Sequence, residues 1–293
     1  MVLRSPATAP GRAGLTRVLA APGRTLFATD FDGTLSPIVD DPAQANAHPE
    51  TARVLGRLGA RLAGVAVVSG RPVTDVLRLG GLEGAEGLAA LRVLGQYGHE
   101  HWDPGTGTVT APPPHRGIAQ ARDAVPDLLR RRGLTDVHVE DKGRALGLHV
   151  RRSGDPVGAL ARLRDPLAEL AEDLGLVVEP GKQVLELRPP GTDKGAAVTG
   201  LVADVGADTV VYAGDDLGDL AAYDAVEALR AAGGSGLLLC VVGADRTALE
   251  PRADLVLDGP GELLGWLDAL ADALADAPAD RPADPSTRPG AAP

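Results

Sequence analysis

The chain has 293 residues, of which 44% are hydrophobic and only 2% aromatic, so its core must be built mostly from Val, Leu and Ala. This content excludes a wholly disordered chain, and the length predicts one large domain or two unequal ones. A formal net charge of -11 argues against nucleic-acid binding, and no segment approaches the roughly 20 consecutive apolar residues that span a bilayer.

The two ends of the chain differ from its middle in composition. Residues 1–23 hold scattered Arg and Pro without the continuous apolar stretch of a secretory signal, which predicts a flexible lead-in. Residues 277–293 are rich in Ala, Pro and Asp without periodicity, which predicts a disordered tail. The single cysteine, Cys240, lies in an apolar run and cannot form an intramolecular disulfide. We therefore expect a reducing, cytoplasmic setting.

Short apolar runs alternate with helical patterns on both sides of the middle segment. In chain order these are strand 26–29, helix 49–62, strand 65–68, strand 209–213, helix 217–232, a strand around Cys240, strand 255–257 and helix 261–274. Continuously apolar strands separated by helices are typical of a parallel sheet that is buried on both faces. The predicted fold class is therefore α/β, with a doubly wound parallel sheet.

The middle of the chain has a different order of elements. Two amphipathic helical patterns, 116–132 and 156–174, are each followed by two strand-like segments. We predict a smaller α/β cap over residues 112–188, inserted between the two core segments 24–111 and 189–276. Pro-rich stretches at both ends of the insert are suited to act as hinges.

Polar side chains follow the ends of three predicted core strands. Asp30 and Asp32 follow the first strand, Ser69 follows the second, and Asp215 and Asp216 follow a later one. The carboxyl ends of parallel strands form the ligand-binding edge of an open α/β sheet. These side chains are therefore expected to converge on one site.

The types of residue at this edge suit phosphoryl transfer. Asp30 can act as the nucleophile and form an aspartyl-phosphate that water later hydrolyses. Asp32, two residues on and on the same side, can protonate the leaving oxygen and then deprotonate the water. Hydroxyls of Thr34 and Ser69 can donate hydrogen bonds to phosphate oxygens, and Lys194, at the start of a core helix, can supply a positive charge.

Two neighbours of Ser69 complete the expected phosphate site. Gly70 and Arg71 belong to the same segment, Ser69-Gly70-Arg71. The Arg71 guanidinium can either reach the phosphate or pair with an acidic side chain, and the sequence does not separate the two.

Acidic residues also predict a metal site. Carboxylate oxygens are preferred ligands of Mg2+, which relieves the repulsion among packed carboxylates. We expect Mg2+ to be the cofactor, held by Asp30, Asp32 and Asp215, with Asp216 and Asp219 supporting these ligands from behind.

Four segments in chain order resemble the four motifs of the haloacid dehalogenase superfamily of phosphatases. They are Asp-x-Asp-Gly-Thr at 30–34, Ser-Gly-Arg at 69–71, Lys-Gly at 194–195 and Gly-Asp-Asp-x-x-Asp at 214–219. Alone, an Asp-x-Asp-Gly segment is more often a turn or part of a calcium loop. Four motifs in order, each at a predicted strand end or helix start, favour a catalytic site.

The insert narrows the resemblance to the trehalose-6-phosphate phosphatase family, over about residues 26–226. The similar segments are 32–38, 67–72, 139–142, 149–151 and 181–189. In that family the insert is a mobile cap that closes over the sugar. The resemblance implies hydrolysis of trehalose 6-phosphate to trehalose and phosphate.

Polar residues of the insert are the candidates for sugar binding. Lys182 and Glu186 share one face of an extended segment, and His149 and Arg151 share one side of another. Lys142 is a further candidate, because it belongs to segment 139–142, which resembles the family. The alternative for these residues is a solvated polar face on a half-buried sheet.

Two histidines near the end of the first core segment allow two interpretations. His99 and His101, beside Trp102, resemble a metal-binding pair. No further ligand spacing supports zinc, so a structural hairpin that leads to the cap is favoured.

Three positions depart from the family pattern. Gly218 and Leu220 stand where the family usually has Thr and Glu, and Val150 replaces a common Tyr. The motifs therefore support the type of reaction more strongly than they support the identity of the sugar. The alternatives are a phosphatase for another sugar or glycoside phosphate, a catalytically silent sugar-phosphate sensor, and a mutase that returns the phosphate to its substrate. Apart from the sugar phosphate we expect no nucleic-acid or membrane partner, and a monomer.

Overall fold

A computed structural model of the chain describes residues 3–181, 183–243 and 248–276. The helices are α1 (Ala9–Ala20), α2 (Thr51–Gly59), α3 (Val73–Leu79), α4 (Arg116–Arg131), α5 (Pro156–Leu174), α6 (Lys194–Val205), α7 (Leu220–Ala231) and α8 (Gly259–Asp276). The core strands are β1 (Thr25–Thr29), β2 (Gly64–Val68), β3 (Leu91–Gly95), β4 (Glu100–Asp103), β5 (Thr108–Thr110), β10 (Thr209–Gly214), β11 (Ser235–Val242) and β12 (Leu255–Asp258). The cap strands are β6 (His138–Asp141), β7 (Leu146–His149), β8 (Val177–Gly181) and β9 (Val184–Arg188).

The core is an eight-stranded sheet with the order β12-β11-β10-β1-β2-β3-β4-β5. The strands from β12 to β3 are parallel, and β4 and β5 add an antiparallel hairpin at one edge. β1 lies between β10 and β2, so the strand ends that carry the acidic motifs are neighbours. The predicted fold class is confirmed.

The core sheet is buried on both faces because consecutive residues of its strands are apolar, and these residues point alternately to the two faces. In β1, Phe27 packs in one apolar cluster, whereas Leu26 and Ala28 pack in another on the opposite face. All five residues of β1 are buried. Helices therefore cover the sheet on both sides, as continuous apolar strands require.

The cap is a four-stranded antiparallel sheet, β6-β7-β9-β8, packed against α4 and α5. Leu148, Leu185 and Leu187 of the sheet join Ile118 and Leu163 of the helices in a separate apolar cluster. The alternate residues of β7 and β9 lie on the other face of the sheet. This polar face is turned towards the core.

The predicted flexible lead-in, residues 1–23, is wrong for its larger part, because α1 packs on the core. Leu15 and Val18 are buried, and Arg17 pairs with Asp208 at 3.0 Å. Gly14 approaches β11 so closely that a Cβ atom there would lie 2.0 Å from the Gly236 carbonyl oxygen. Small residues on the helix thus provide the close contact, which an apolar periodicity does not reveal.

Four further features of the sequence analysis can be compared with the structure: the strand β3, His101, the tail and the absence of a membrane-spanning segment. β3 was not predicted, since its short apolar run is interrupted by the exposed Arg92. His101 lies in β4 of an antiparallel hairpin, and its Nε2 atom contacts the Gly98 carbonyl oxygen at 2.9 Å. The predicted tail, residues 277–293, lies outside the described residues. None of the helices in the described ranges combines the length and the apolar character needed to cross a membrane.

Candidate active site

A cleft separates the carboxyl edge of the core sheet from the polar face of the cap. Asp30, Ser69 and Lys194 line it from the core, and Lys142 and Glu186 line it from the cap. The convergence predicted from the strand ends is therefore observed. The cap residues face the same space as the core motifs.

Asp30 follows β1 and is held at both of its carboxylate oxygens. Its Oδ1 accepts a hydrogen bond from the Phe31 amide at 2.6 Å, and its Oδ2 lies 2.7 Å from the Lys194 Nζ atom. Asp30 is only 6% exposed and Lys194 only 3%. This rigid, buried placement suits a nucleophile that must meet phosphorus in one orientation.

Lys194 also contacts Asp219, which organises the last acidic motif. The Lys194 Nζ atom and the Tyr212 hydroxyl donate to Asp219 Oδ1 at 2.7 and 2.6 Å. Asp219 Oδ2 accepts from the Asp215 amide at 3.0 Å and more distantly from the Asp216 amide. Since Asp219 is fully buried and engaged at both oxygens, it positions the motif.

Four carboxylates crowd together at this end of the cleft. Asp30, Asp215, Asp216 and Asp219 each offer one oxygen, and these oxygens lie within 4.8 Å of one another. Burial, despite the opposing charge of Lys194, raises the pKa of Asp30 well above its usual value. Burial and then the charge of Asp30 raise the pKa of Asp215 to about 9. A divalent cation fits this donor set, because it would stabilise all of these ionised carboxylates.

Asp32 was expected among the metal ligands, and its carboxylate has another partner in this structure. Its two carboxylate oxygens pair with Arg71, with Nε to Oδ2 at 2.6 Å and Nη2 to Oδ1 at 2.7 Å. Among the described residues, the acidic cluster does not include it. Arg71 thus takes the acid-pairing role that the sequence left open, and it still lines the cleft.

Thr34 was expected to bind phosphate through its hydroxyl, which also has a partner within the protein. Its buried hydroxyl donates to Asp215 Oδ1 at 3.2 Å, so it orients a carboxylate of the cluster. The turn before it requires Gly33, whose φ of 76° is left-handed. A Cβ atom at Gly33 would lie 2.1 Å from Asp215 Oδ2. This turn therefore brings the first and last motifs into contact.

The second motif lines the cleft with the hydroxyl-bearing Ser69 and with Gly70, which has no side chain. Ser69 is 1% exposed, and its Oγ atom accepts a hydrogen bond from the Arg71 amide at 3.2 Å. Gly70 lies beneath Tyr97, and a Cβ atom there would be 2.8 Å from the tyrosine oxygen. Ser69, Gly70 and Arg71 all line the cleft, as expected of phosphate-binding residues.

The polar face of the cap holds two acid–base pairs above the core site. Lys142 Nζ contacts Glu186 Oε2; the Glu186 side chain is buried, and that of Lys142 is 13% exposed. The other oxygen of Glu186 is buried without a hydrogen-bond partner among the described residues. His149 Nε2 lies 2.8 Å from Glu140 Oε2, and this hydrogen bond, against the effect of burial, lowers the pKa of Glu140 to about 2. The cap therefore presents charged groups that are suited to hydroxyl recognition.

The remaining cap candidates have different outcomes. Arg151 lines the cleft, but its Nη1 atom donates to the Val39 carbonyl oxygen of the core at 2.9 Å. Lys182 lies outside the described residues. Val150 is fully buried in the apolar cluster of the cap, so the change from Tyr at this position removes no group from the cleft.

Sequence reasoning missed several residues of the site. Glu140 and Tyr97 line the cleft, and Tyr212 holds Asp219. Tyr97 follows β3, so recognising that strand would have placed it at the ligand-binding edge. No local signal identifies Tyr212, which lies inside a continuously buried strand.

Comparison with known proteins identifies related families. A family model described as Trehalose-phosphatase matches residues 28–250. The trehalose-phosphate phosphatase of Mycobacterium avium (strain 104) is 34% identical over 258 residues, which cover 83% of this chain and 61% of that protein. The chain thus spans less than two thirds of the length of this curated relative.

Solved structures share the fold. The C-terminal domain of C. albicans trehalose-6-phosphate phosphatase matches with a TM-score of 0.71 at 23% identity, covering 92% of this chain and 99% of that chain. A haloacid dehalogenase-like hydrolase from Bacteroides thetaiotaomicron matches with a TM-score of 0.56 at 15% identity, covering 86% and 98% of the two chains. Both likenesses agree with a haloacid dehalogenase-like core that carries a cap.

Proposed function

Since the chain belongs to the trehalose-phosphatase family, we propose that it hydrolyses trehalose 6-phosphate to trehalose and inorganic phosphate. The observation that carries this proposal is the cleft itself, where the buried Asp30–Lys194–Asp219 array lies opposite the Lys142–Glu186 pair of the cap. The first arrangement suits chemistry at phosphorus, and the second suits recognition of a polyol. The proposed role is trehalose biosynthesis in the cytoplasm.

Asp30 is the proposed nucleophile. One of its carboxylate oxygens attacks phosphorus, the bond from phosphorus to the sugar oxygen breaks, and an aspartyl-phosphate forms. Lys194 neutralises charge beside the reacting carboxylate, and Ser69, with the backbone of Gly70, receives the phosphoryl oxygens. Attack of water on this phosphorus then releases phosphate and restores Asp30.

Asp32 is the proposed acid and base. It donates a proton to the departing sugar oxygen and later accepts a proton from the attacking water. In the free protein both of its oxygens are engaged by Arg71, so this pair must open before Asp32 can carry a proton. A phosphate dianion in the cleft gives Arg71 an alternative partner, which would couple substrate binding to release of Asp32.

Mg2+ is the proposed cofactor, because the oxygen-only donor set of Asp30, Asp215 and Asp216 suits a small, hard cation. When bound, it would supply positive charge to the phosphoryl oxygens. Asp219 and Thr34 would hold the ligands in place through Lys194 and Asp215, respectively.

The cap is proposed to recognise the sugar. Glu186 has a buried oxygen that lacks a hydrogen-bond partner among the described residues, and a sugar hydroxyl can satisfy it. Lys142 and His149 line the same space. Lys182 and Arg151 complete the proposed set, with Arg151 also fastening the cap to the core.

A panel of phosphate esters tests the proposed reaction. We expect phosphate release from trehalose 6-phosphate with Mg2+ at a kcat/KM at least about tenfold above that of glucose 6-phosphate and phenyl phosphate, because only the disaccharide fills the cap side of the cleft. Chelation of the metal should abolish release, and added Mg2+ should restore it. A preference for another ester would overturn the substrate, and transfer of the phosphate to a second sugar position would indicate a mutase.

The acidic cluster also predicts how pH affects the metal-free protein. Asp215 has a pKa of about 9 in the folded state against 3.8 ordinarily, so between these values only the folded state holds the proton. The stability that this proton provides at acidic pH is therefore lost as pH rises towards about 9. We expect the unfolding free energy in chelator to fall from about pH 6 to about pH 8.5 more steeply in wild type than in Asp215→Asn.

Mg2+ competes with the same proton, which gives the control for this prediction. Added Mg2+ should raise the melting temperature of wild type more at about pH 8.5 than at about pH 6, since the metal requires ionised ligands. Parallel pH profiles for wild type and Asp215→Asn would contradict the assignment of the bound proton.

A further inference from the structure

Tyr97 occupies a strained position at the carboxyl end of β3. Gln96 and Tyr97 have φ values of 51° and 59°, a left-handed region that non-glycine residues rarely adopt. Their amides donate to the Arg71 and Ser69 carbonyl oxygens, both at 2.9 Å. Strain of this kind persists only where surrounding contacts fix the backbone, and it is concentrated at functional sites.

The ring of Tyr97 is held on two sides. The tyrosine oxygen lies against Gly70, where any side chain would collide with it. The Arg188 guanidinium lies 4.9 Å from the ring centroid, a cation–π distance, and it is fixed by a 2.6 Å contact with Glu179 and a 2.5 Å hydrogen bond to the Thr192 carbonyl oxygen. The phenol is thus directed to one point above the phosphate motif.

The hydroxyl at this point is available to a ligand. No hydrogen bond of the Tyr97 hydroxyl is found within the described part of the chain, although the side chain lines the cleft with Ser69, Lys194 and Glu186. Burial and then the charge of Glu186 raise the pKa of Tyr97 well above its usual value, so the phenol stays protonated and can donate. Of the described Phe, Trp and Tyr residues, only Tyr97 lines this cleft.

Resting on the proposed function, we infer that Tyr97 is a specificity-determining residue whose hydroxyl donates a hydrogen bond to a hydroxyl of the phosphorylated sugar ring. The phosphorus must lie beside Asp30 and Ser69. The sugar carbon that carries the phosphate must then pass Gly70 on its way to Glu186 of the cap. The Tyr97 oxygen lies beside Gly70, in the same cleft as Glu186, and can therefore meet the sugar ring there.

Tyr97→Phe separates this role from a structural one, because it keeps the ring, its carbon atoms beside Gly70 and its contact with Arg188. We measure kcat/KM for the sugar phosphate that wild type hydrolyses best in the panel, and for phenyl phosphate, which has no sugar hydroxyl. The expected loss is about tenfold on the sugar phosphate, carried mainly by KM, and less than about twofold on phenyl phosphate.

Tyr223→Phe is the matched control. It also removes one buried phenolic oxygen, which has no hydrogen-bond partner among the described residues, and Tyr223 does not line the cleft. Tyr223→Phe should leave kcat/KM unchanged for both the sugar phosphate and phenyl phosphate. Equal losses of Tyr97→Phe on the two substrates, or no loss on either, would overturn the inference. Since the sugar phosphate is chosen by measurement, preference for an ester other than trehalose 6-phosphate would refute the substrate proposal without deciding the test of Tyr97.

Discussion

Asp30→Asn is expected to lower kcat for phosphate release by at least about 10⁴-fold, because an amide cannot replace the attacking carboxylate. The change preserves size and shape at a site where Asp30 is only 6% exposed. It also leaves Lys194 in contact with Asp219. The loss of activity should therefore not be accompanied by a loss of structure.

The stability of Asp30→Asn should match or exceed that of the wild type in chelator. Burial, opposed by the charge of Lys194 and reinforced by the charges of Asp219 and Asp216, raises the pKa of the wild-type carboxyl group well above its usual value. An amide of the same size has no ionised form that must be buried at this position. Functional sites commonly sacrifice stability in this way.

Kinetics and urea unfolding of the same preparations check both expectations. The matched control is Asp165→Asn, which makes the same chemical change at an exposed position of α5 and should alter neither property. Turnover of wild type that equals that of Asp30→Asn would favour the catalytically silent sensor. A variant that is inactive but strongly destabilised would contradict the view that the ionised carboxylate of Asp30 is unfavourable in the metal-free fold.

Lys194→Met should reduce both activity and stability. Lys194 is the buried cation between Asp30 and Asp219, and the carboxylates themselves hold its pKa well above the usual value against the effect of burial. Removing one partner of a buried ion pair typically costs about 3–5 kcal/mol. Loss of a fixed charge beside the reacting phosphoryl group should lower kcat by about 10²–10³-fold.

A double-mutant cycle with Asp30→Asn tests the electrostatic origin of the stability loss. Asp30→Asn should recover part of the stability that Lys194→Met loses, because one fewer carboxylate then lacks its counter-charge. Urea unfolding of the four proteins at about pH 7 in chelator provides the free energies. Additive changes would show that packing around the lysine stem, and not its charge, is what the fold requires.

The sequence predicted the core site well because its motifs lie at strand ends, where local order determines the position of a side chain. Asp30, Ser69 and Asp215 are brought together by the pairing of β1 with β2 and β10. Lys194 begins α6, as expected. These positions follow from the α/β pattern alone.

The direction of each side chain was less predictable, because it depends on partners far away in the chain. Thr34 donates to Asp215, 181 residues later, and Asp32 pairs with Arg71, 39 residues later. From the sequence alone, the Thr34 hydroxyl and the Asp32 carboxylate could equally have faced the expected phosphate site. Tyr97 was missed for a related reason. Its side chain is placed by a left-handed backbone conformation, which the residue type does not predict.

Two of the contacts that fasten the cap to the core are directed at the main chain. Arg151 donates to the Val39 carbonyl oxygen, and the side-chain amide nitrogen of Gln96 donates to the Lys142 carbonyl oxygen at 2.9 Å. Every residue offers such an oxygen, so the accepting side of either contact places no demand on the identity of its side chain. The side chain at Val39, which lines the cleft, can therefore be redesigned for another sugar without loss of this contact, as long as the backbone path is kept.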